Sequence, residues 1–199
     1  MAGVADGEAD RLLTRADRGR FRSVVAFADS LPFGDREFDG ALSSFVFQLV
    51  PNRARALREA RRVLKPGGML AHVTWLDDER LFVPDATFDD ALYDLGIEPR
   101  GGDGRSGDIP SVARAAGELR RAGFADVTAR GGLLEHRFSV EGYIAFLSEF
   151  DEETLFAELE PDLRQRVVDT LRARLGALSA DQMTMRFPIV FASGRRSAR

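Results

Sequence analysis

The chain has no cysteine, which excludes a disulfide framework, a thiolate nucleophile and a cysteine-ligated metal. Histidine occurs only as His72 and His136, too few for a histidine metal centre, so no metal is expected. Lysine occurs once, at Lys65, against 27 arginines, an imbalance that points to a GC-rich bacterial genome because most arginine codons are GC-rich. No apolar run approaches the roughly 20 residues of a membrane span. The early acidic residues Asp6, Glu8 and Asp10 do not fit a secretory leader. A cytoplasmic protein with no membrane contact is therefore expected. A net charge of -4 leaves no electrostatic footprint for nucleic acid. What remains is an ordinary globular composition, 44% hydrophobic and 30% charged, over 199 residues. That length suits one domain and is short for two.

Residues 1–23 are polar, with one weakly helical piece from Glu8 to Arg18. Val24 to Phe27 is a short apolar run that reads as a strand. Leu31-Pro32-Phe33-Gly34-Asp35 interrupts it, and Gly40 to Leu49, apolar without alternation, reads as a strand buried on both faces. Asn52 is a natural N-cap for a helix whose buried stripe is Ala56, Leu57, Ala60, Val63 and Leu64. The arginines from Arg53 to Arg62 read as its solvated face. Lys65-Pro66-Gly67-Gly68 stops that helix ahead of a strand from Met69 to Trp75. Helices follow at Ala86 to Leu95 and Ser111 to Ala122, then a strand at Asp126 to Arg130. Two amphipathic helical segments occupy residues 139–178, and a last strand runs from Phe187 to Ser193 ahead of a frayed tail, 194–199. Alternating strands and helices predict an α/β domain with a largely parallel sheet.

Asp29-Ser30-Leu31-Pro32-Phe33, Phe38-Asp39-Gly40, and Arg62-Val63-Leu64-Lys65-Pro66-Gly67-Gly68 at their observed spacing resemble the middle of a class I S-adenosylmethionine-dependent methyltransferase. The similarity is to the small-molecule, type 11 group that includes quinone-biosynthesis enzymes. It covers about residues 24–131 and, more loosely, 187–193. The resemblance implies a Rossmann-like sheet. In that family a glycine-rich cofactor loop follows the first strand, well upstream of the Leu-Pro-Phe segment, and no such loop is found before Ser30. The expectation is thus a methyltransferase domain over 24–193 with its first two strands missing, and a helical insertion or lid at 139–186 before the last strand.

By the same resemblance, Phe27, Ala28 and Asp29 flank the adenine of the cofactor, with Phe27 standing where relatives carry an acidic residue. Ser44 and Phe45 hold its methionine part. Gln48, Trp75 and Tyr143 fall on the substrate side, and glutamine at position 48 excludes a general base there. No catalytic acid–base pair is evident, and none is obligatory, because a sulfonium methyl is already activated and needs chiefly alignment. His72 reads as a satisfied interior or edge histidine. Gly102-Asp103-Gly104-Arg105-Ser106-Gly107 spells a dinucleotide-loop pattern but lacks the preceding strand, so a nicotinamide oxidoreductase is set aside.

The function implied is methyl transfer from S-adenosylmethionine to a small-molecule acceptor, with weak or absent cofactor binding by this chain alone. The competing reading is a truncated, non-catalytic relative acting as a binding or assembly subunit. Loss of the first strands would bare the edge of Gly40 to Leu49, so either Val24 to Phe27 should move to pair with it or a homodimer should form through it.

Overall fold

The computed structural model describes residues 22–98 and 107–198. The Glu8–Arg18 helix, most of the Pro99–Asp108 loop with its glycine pattern, and Arg199 lie outside the described residues.

Four strands form one sheet: β1 (Phe38–Ser44), β2 (Leu64–Trp75), β3 (Phe124–Arg137) and β4 (Thr184–Arg196). Their order is β1-β2-β4-β3. Only β1 and β2 are parallel; β4 runs antiparallel to both of its neighbours, which corrects the expectation of a largely parallel sheet. Among the described residues six α-helices accompany the sheet: α1 (Arg53–Val63), α2 (Val83–Asp94), α3 (Val112–Arg121), α4 (Val140–Phe146), α5 (Glu153–Glu158) and α6 (Pro161–Leu175). A π-helical turn, Leu147–Asp151, continues α4.

Asn52 caps α1 as its position suggests, its Oδ1 accepting from Arg55 N at 3.1 Å. Ser111 and Ser139 cap α3 and α4 in the same way. The first core lies between one sheet face and the helices α1 and α3, where Ala56, Leu57, Leu64, Leu70, Leu119 and Val190 are buried. A second core joins α2 to the helices before β4, centred on Leu92, Tyr143, Leu147, Val167, Leu171 and Leu175. Spacing by four along α6 puts Val167, Leu171 and Leu175 on one stripe, each wholly buried.

Several expected boundaries move. Val24 to Phe27 is not a strand; its one ladder contact is an isolated bridge between Phe27 and Ser30. Phe27 is 81% exposed, so the apolar run finds no sheet to enter. The strand expected over Gly40 to Leu49 ends at Ser44 and gives way to a short 3-10 turn, Phe47–Leu49. It is the sheet edge rather than a strand buried on both faces, with Leu42 83% exposed. Among the described residues nothing pairs with its outer edge. Strand β3, at 14 residues, is nearly three times as long as the expected Asp126 to Arg130, and β4, at 13, about twice as long as Phe187 to Ser193. Gly131 and Gly132 continue β3 because a Cβ at Gly132 would stand 3.1 Å from the Phe191 ring. The expected tail is also ordered through Arg196, whose Nη1 donates to the carbonyls of Arg61, Arg62 and Leu64 at 2.7–2.9 Å. It satisfies the end of α1 from a neighbouring strand.

Gly67 and Gly68 have a stated need for glycine. Gly67 has φ +81°, and a Cβ at Gly68 would lie 2.9 Å from Lys65 O and 3.0 Å from Asp39 O. Asp39 is exposed and pairs with Lys65 at 2.9 Å.

Candidate functional site

The C-terminal ends of β1 and β2 lie side by side, the position at which open α/β sheets take ligands. Phe45, just past β1, has φ +51°, a left-handed conformation uncommon for a residue with a side chain. Its N–H still donates to Val73 O at 2.9 Å, extending the β1–β2 ladder by one step. The chain then reverses, and the Phe45 ring lies against Trp75 with centroids 4.4 Å apart. Trp75 meets Phe187 of β4 edge-on at 5.9 Å. Both Phe45 and Trp75 are half-buried, and the structure brings their rings into contact at this end of the sheet.

Gln48 lies beside this ring pair. Its Nε2 donates to Phe45 O at 2.8 Å, and its Oε1 accepts from Thr74 Oγ1 at 2.5 Å. Gln48 and Thr74 are both buried. The amide is thus committed to holding the Phe45 turn on β2, which makes Gln48 a support for the Phe45–Trp75 contact. Tyr143 is not brought to it. The ring is buried in the helical core, its hydroxyl donating to Asp85 at 2.5 Å, and it connects to Trp75 only through Phe82 and Phe187. Burial and the neighbouring Asp85 carboxylate hold its phenol protonated, well above the ordinary range.

The segment expected to flank the adenine is pinned to α1. Arg55 Nε donates to Asp29 O at 2.9 Å, and Leu31 N donates to Glu59 Oε2 at 3.1 Å. Arg62 is the hub. It donates to both Glu59 oxygens at 2.9 Å, to Asp35 Oδ1 at 2.7 Å, and to the carbonyls of Phe33 and Leu31 at 2.9 and 3.1 Å. The hydrogen bond from Arg62 keeps the Glu59 carboxyl below the usual carboxylate range. The arginines of α1 are therefore not simply a solvated face: Arg53, Arg55, Arg61 and Arg62 all hold backbone carbonyls elsewhere in the chain. Reading the sequence by helix periodicity missed this, because five of the partners are main-chain oxygens that composition does not display.

His72 is interior, but not satisfied. Its Nδ1 and the Oγ of Ser43, register partners across β1 and β2, are buried without a hydrogen-bond partner. Burial lowers the imidazole pKa to about 4. Among the described residues no glycine-rich turn opens a helix at a strand's C-terminal end, and no group of three or more histidine, aspartate or glutamate residues is arranged for a metal. No described helix is long and apolar enough to cross a membrane.

Residues 5–72 match the family described as a methyltransferase domain. Over 61 residues the chain is 48% identical to the ubiquinone/menaquinone biosynthesis C-methyltransferase UbiE of Azotobacter vinelandii, a stretch covering 31% of this chain and 24% of that protein. The same enzyme of Pseudomonas putida is 44% identical over 61 residues, again 31% and 24% of the two chains. The matched stretch thus spans about a quarter of the length of these relatives. Among solved structures, the YcgJ protein of Bacillus subtilis superposes with a TM-score of 0.57 at 18% identity, over 99% of this chain and 78% of that one. The [4+2]-cyclase SpnF superposes with a TM-score of 0.53 at 18% identity, over 100% and 63%. At such identities the likeness concerns the fold, which hosts more than one chemistry. The chain is thus similar to a methyltransferase domain over residues 5–72, and its fold is like that of the two solved structures.

Proposed function

We propose that the chain serves S-adenosylmethionine-dependent methyl transfer to a small-molecule acceptor, with the Phe45–Trp75 crevice as the place where donor and acceptor meet. The observation that carries this reading is the 4.4 Å contact of those two rings at the C-terminal ends of the parallel strand pair. The relatives named for C-methylation in ubiquinone and menaquinone biosynthesis support a planar, apolar acceptor, and an aromatic wall suits such a ring.

The residues fit the cofactor in part. Phe27, Ala28 and Asp29 stand at its adenine side, and Ser44 and Phe45 at its methionine side. S-adenosylmethionine, when bound, supplies an activated methyl on a sulfonium. The chain's own part is to align and to exclude water: Trp75 and Phe45 wall the crevice, and Gln48 and Thr74 fix the Phe45 turn. An aromatic face also favours a cationic centre. Two backbone donors are already spent within the protein, Leu31 N on Glu59 and Phe45 N on Val73 O. Fewer ligand hydrogen bonds, each worth roughly 0.5–1.5 kcal/mol net, imply binding weaker by orders of magnitude than a complete site would give.

The outer edge of β1, which no described strand pairs, favours a second reading, a non-catalytic subunit that binds or assembles. The same edge supports a homodimer, because an unpaired strand with an exposed Leu42 is a template for a second copy. Calorimetric titration with S-adenosylmethionine at millimolar concentration separates the readings. Saturable weak binding that Trp75→Leu weakens supports methyl transfer. Saturable binding indifferent to both Trp75→Leu and Phe45→Ala removes this crevice as the site. A flat titration favours the subunit.

A further inference from the structure

The chain carries net negative charge, yet one groove is strongly positive. Between α1 and α3 lies a cavity of about 360 Å³ lined by Arg53, Arg58, Arg114 and Arg121, with Glu118 the one carboxylate on its walls. Both oxygens of Glu118 are engaged: Oε2 lies 3.0 Å from Arg53 Nε, and Oε1 3.1 Å from Arg114 Nε. Arg53 is further tied to Gly107 O at 2.6 Å. Arg58, from α1, and Arg121, from α3, stand on opposite walls and have no hydrogen bond or ion pair to any described residue. Arg62, the α1 arginine that holds the Leu31–Asp35 segment, does not line this groove, so the fold does not use Arg58 as it uses Arg62.

Four guanidinium groups against one carboxylate leave a local excess of positive charge that no other carboxylate on the groove's described walls neutralises. The floor is apolar at Leu57, which is buried, so a ligand seated there is less screened than one on open surface. Guanidinium forks match the geometry of phosphate oxygens and bind them two at a time.

We propose that the α1–α3 groove binds a phosphate group, with Arg58 and Arg121 closing on it from opposite walls while Glu118 holds Arg53 and Arg114 in place. The phosphate belongs either to a phosphorylated small molecule or to an anionic lipid headgroup. The site is independent of the proposed methyl transfer, and the failure of one leaves the other standing.

The test uses the full chain at low ionic strength, titrated calorimetrically with inorganic pyrophosphate and, separately, sedimented with phosphatidylcholine vesicles containing phosphatidic acid. Pyrophosphate binding that falls about tenfold in Arg58→Gln and in Arg121→Gln, and is retained in Arg120→Gln on the outer side of α3, identifies the site and a soluble source. Vesicle binding alone with the same dependence on Arg58 and Arg121 identifies the lipid source. Both substitutions remove unpaired surface charges, so circular dichroism and thermal midpoints should match the parent. Absence of binding in both arms, or binding that Arg120→Gln weakens as much as Arg58→Gln does, overturns the proposal.

Discussion

Replacing Thr74 by valine keeps the volume of the side chain and removes one hydroxyl, which strands the Gln48 Oε1 it serves at 2.5 Å. Thr74 is wholly buried and Gln48 nearly so, so neither can turn to water. An unsatisfied buried acceptor costs about 1–3 kcal/mol. For a chain of this size each kcal/mol lowers the thermal midpoint by about 2–4 °C, so a fall of roughly 3–10 °C is expected. The Phe45 turn should loosen at the same time, because Gln48 Nε2 is what holds Phe45 O, at 2.8 Å. The chain has a single tryptophan, and that residue lies against Phe45 with the rings tilted, so its emission reports the turn directly. Thr74→Val should red-shift and weaken the packing signal of Trp75 in the native state as well as lower stability. Gln48→Leu in the Thr74→Val background should cost less than the sum of the two single changes, because the pair is removed together. A Thr74→Val protein within about 0.5 kcal/mol of the parent, with unchanged Trp75 emission, would refute the claim that this bond supports the crevice.

Three further outcomes follow from the structure. His72, whose pKa falls from 6.5 to about 4 on burial, binds its proton more weakly folded than unfolded, so stability should decline as pH falls from 6.5 to 4 and then level off. The loss should approach about 3 kcal/mol, and a urea series on His72→Gln should show a flatter pH profile over that window. Arg62→Lys keeps the charge but cannot reach both Glu59 and the carbonyls of Leu31 and Phe33, so hydrogen exchange at the Leu31 amide should accelerate while the core amides of α6 stay protected; equal protection in both proteins would contradict the hub. Leu171→Ala, at a wholly buried position of the helical core, should cost about 2–5 kcal/mol in denaturant unfolding, and a cost below 1 kcal/mol would mean the second core is loosely packed.

The legible parts of this fold were those fixed by local chemistry. Asn52, Ser111 and the Gly67–Gly68 pair announce helix starts and a turn through side-chain and backbone constraints a few residues long. The pairing of Phe45 with Trp75 was also within reach, because both end parallel strands that neighbour one another. What escaped depends on distant partners. Val24 to Phe27 has strand composition, but strand formation needs a neighbour, and the segment meets none in the sheet. The lengths of β3 and β4 follow from their pairing with each other across residues 124–137 and 184–196, which overrides the two glycines. Tyr143 carries a substrate-like side chain, yet Asp85, 58 residues away, draws it into the helical core. Gln48 looks like a ligand contact by position and becomes a support because the Thr74 hydroxyl of the next strand donates to its Oε1.

The most direct measurement is the emission of Trp75 during titration of the chain with S-adenosylmethionine. If the crevice of Phe45 and Trp75 is where donor and acceptor meet, and the two spent amides and the absence of a glycine turn among the described residues weaken cofactor capture, the emission should change and saturate only in the roughly millimolar range. Saturation at micromolar cofactor, or calorimetric binding that leaves Trp75 emission unaltered, would contradict the account.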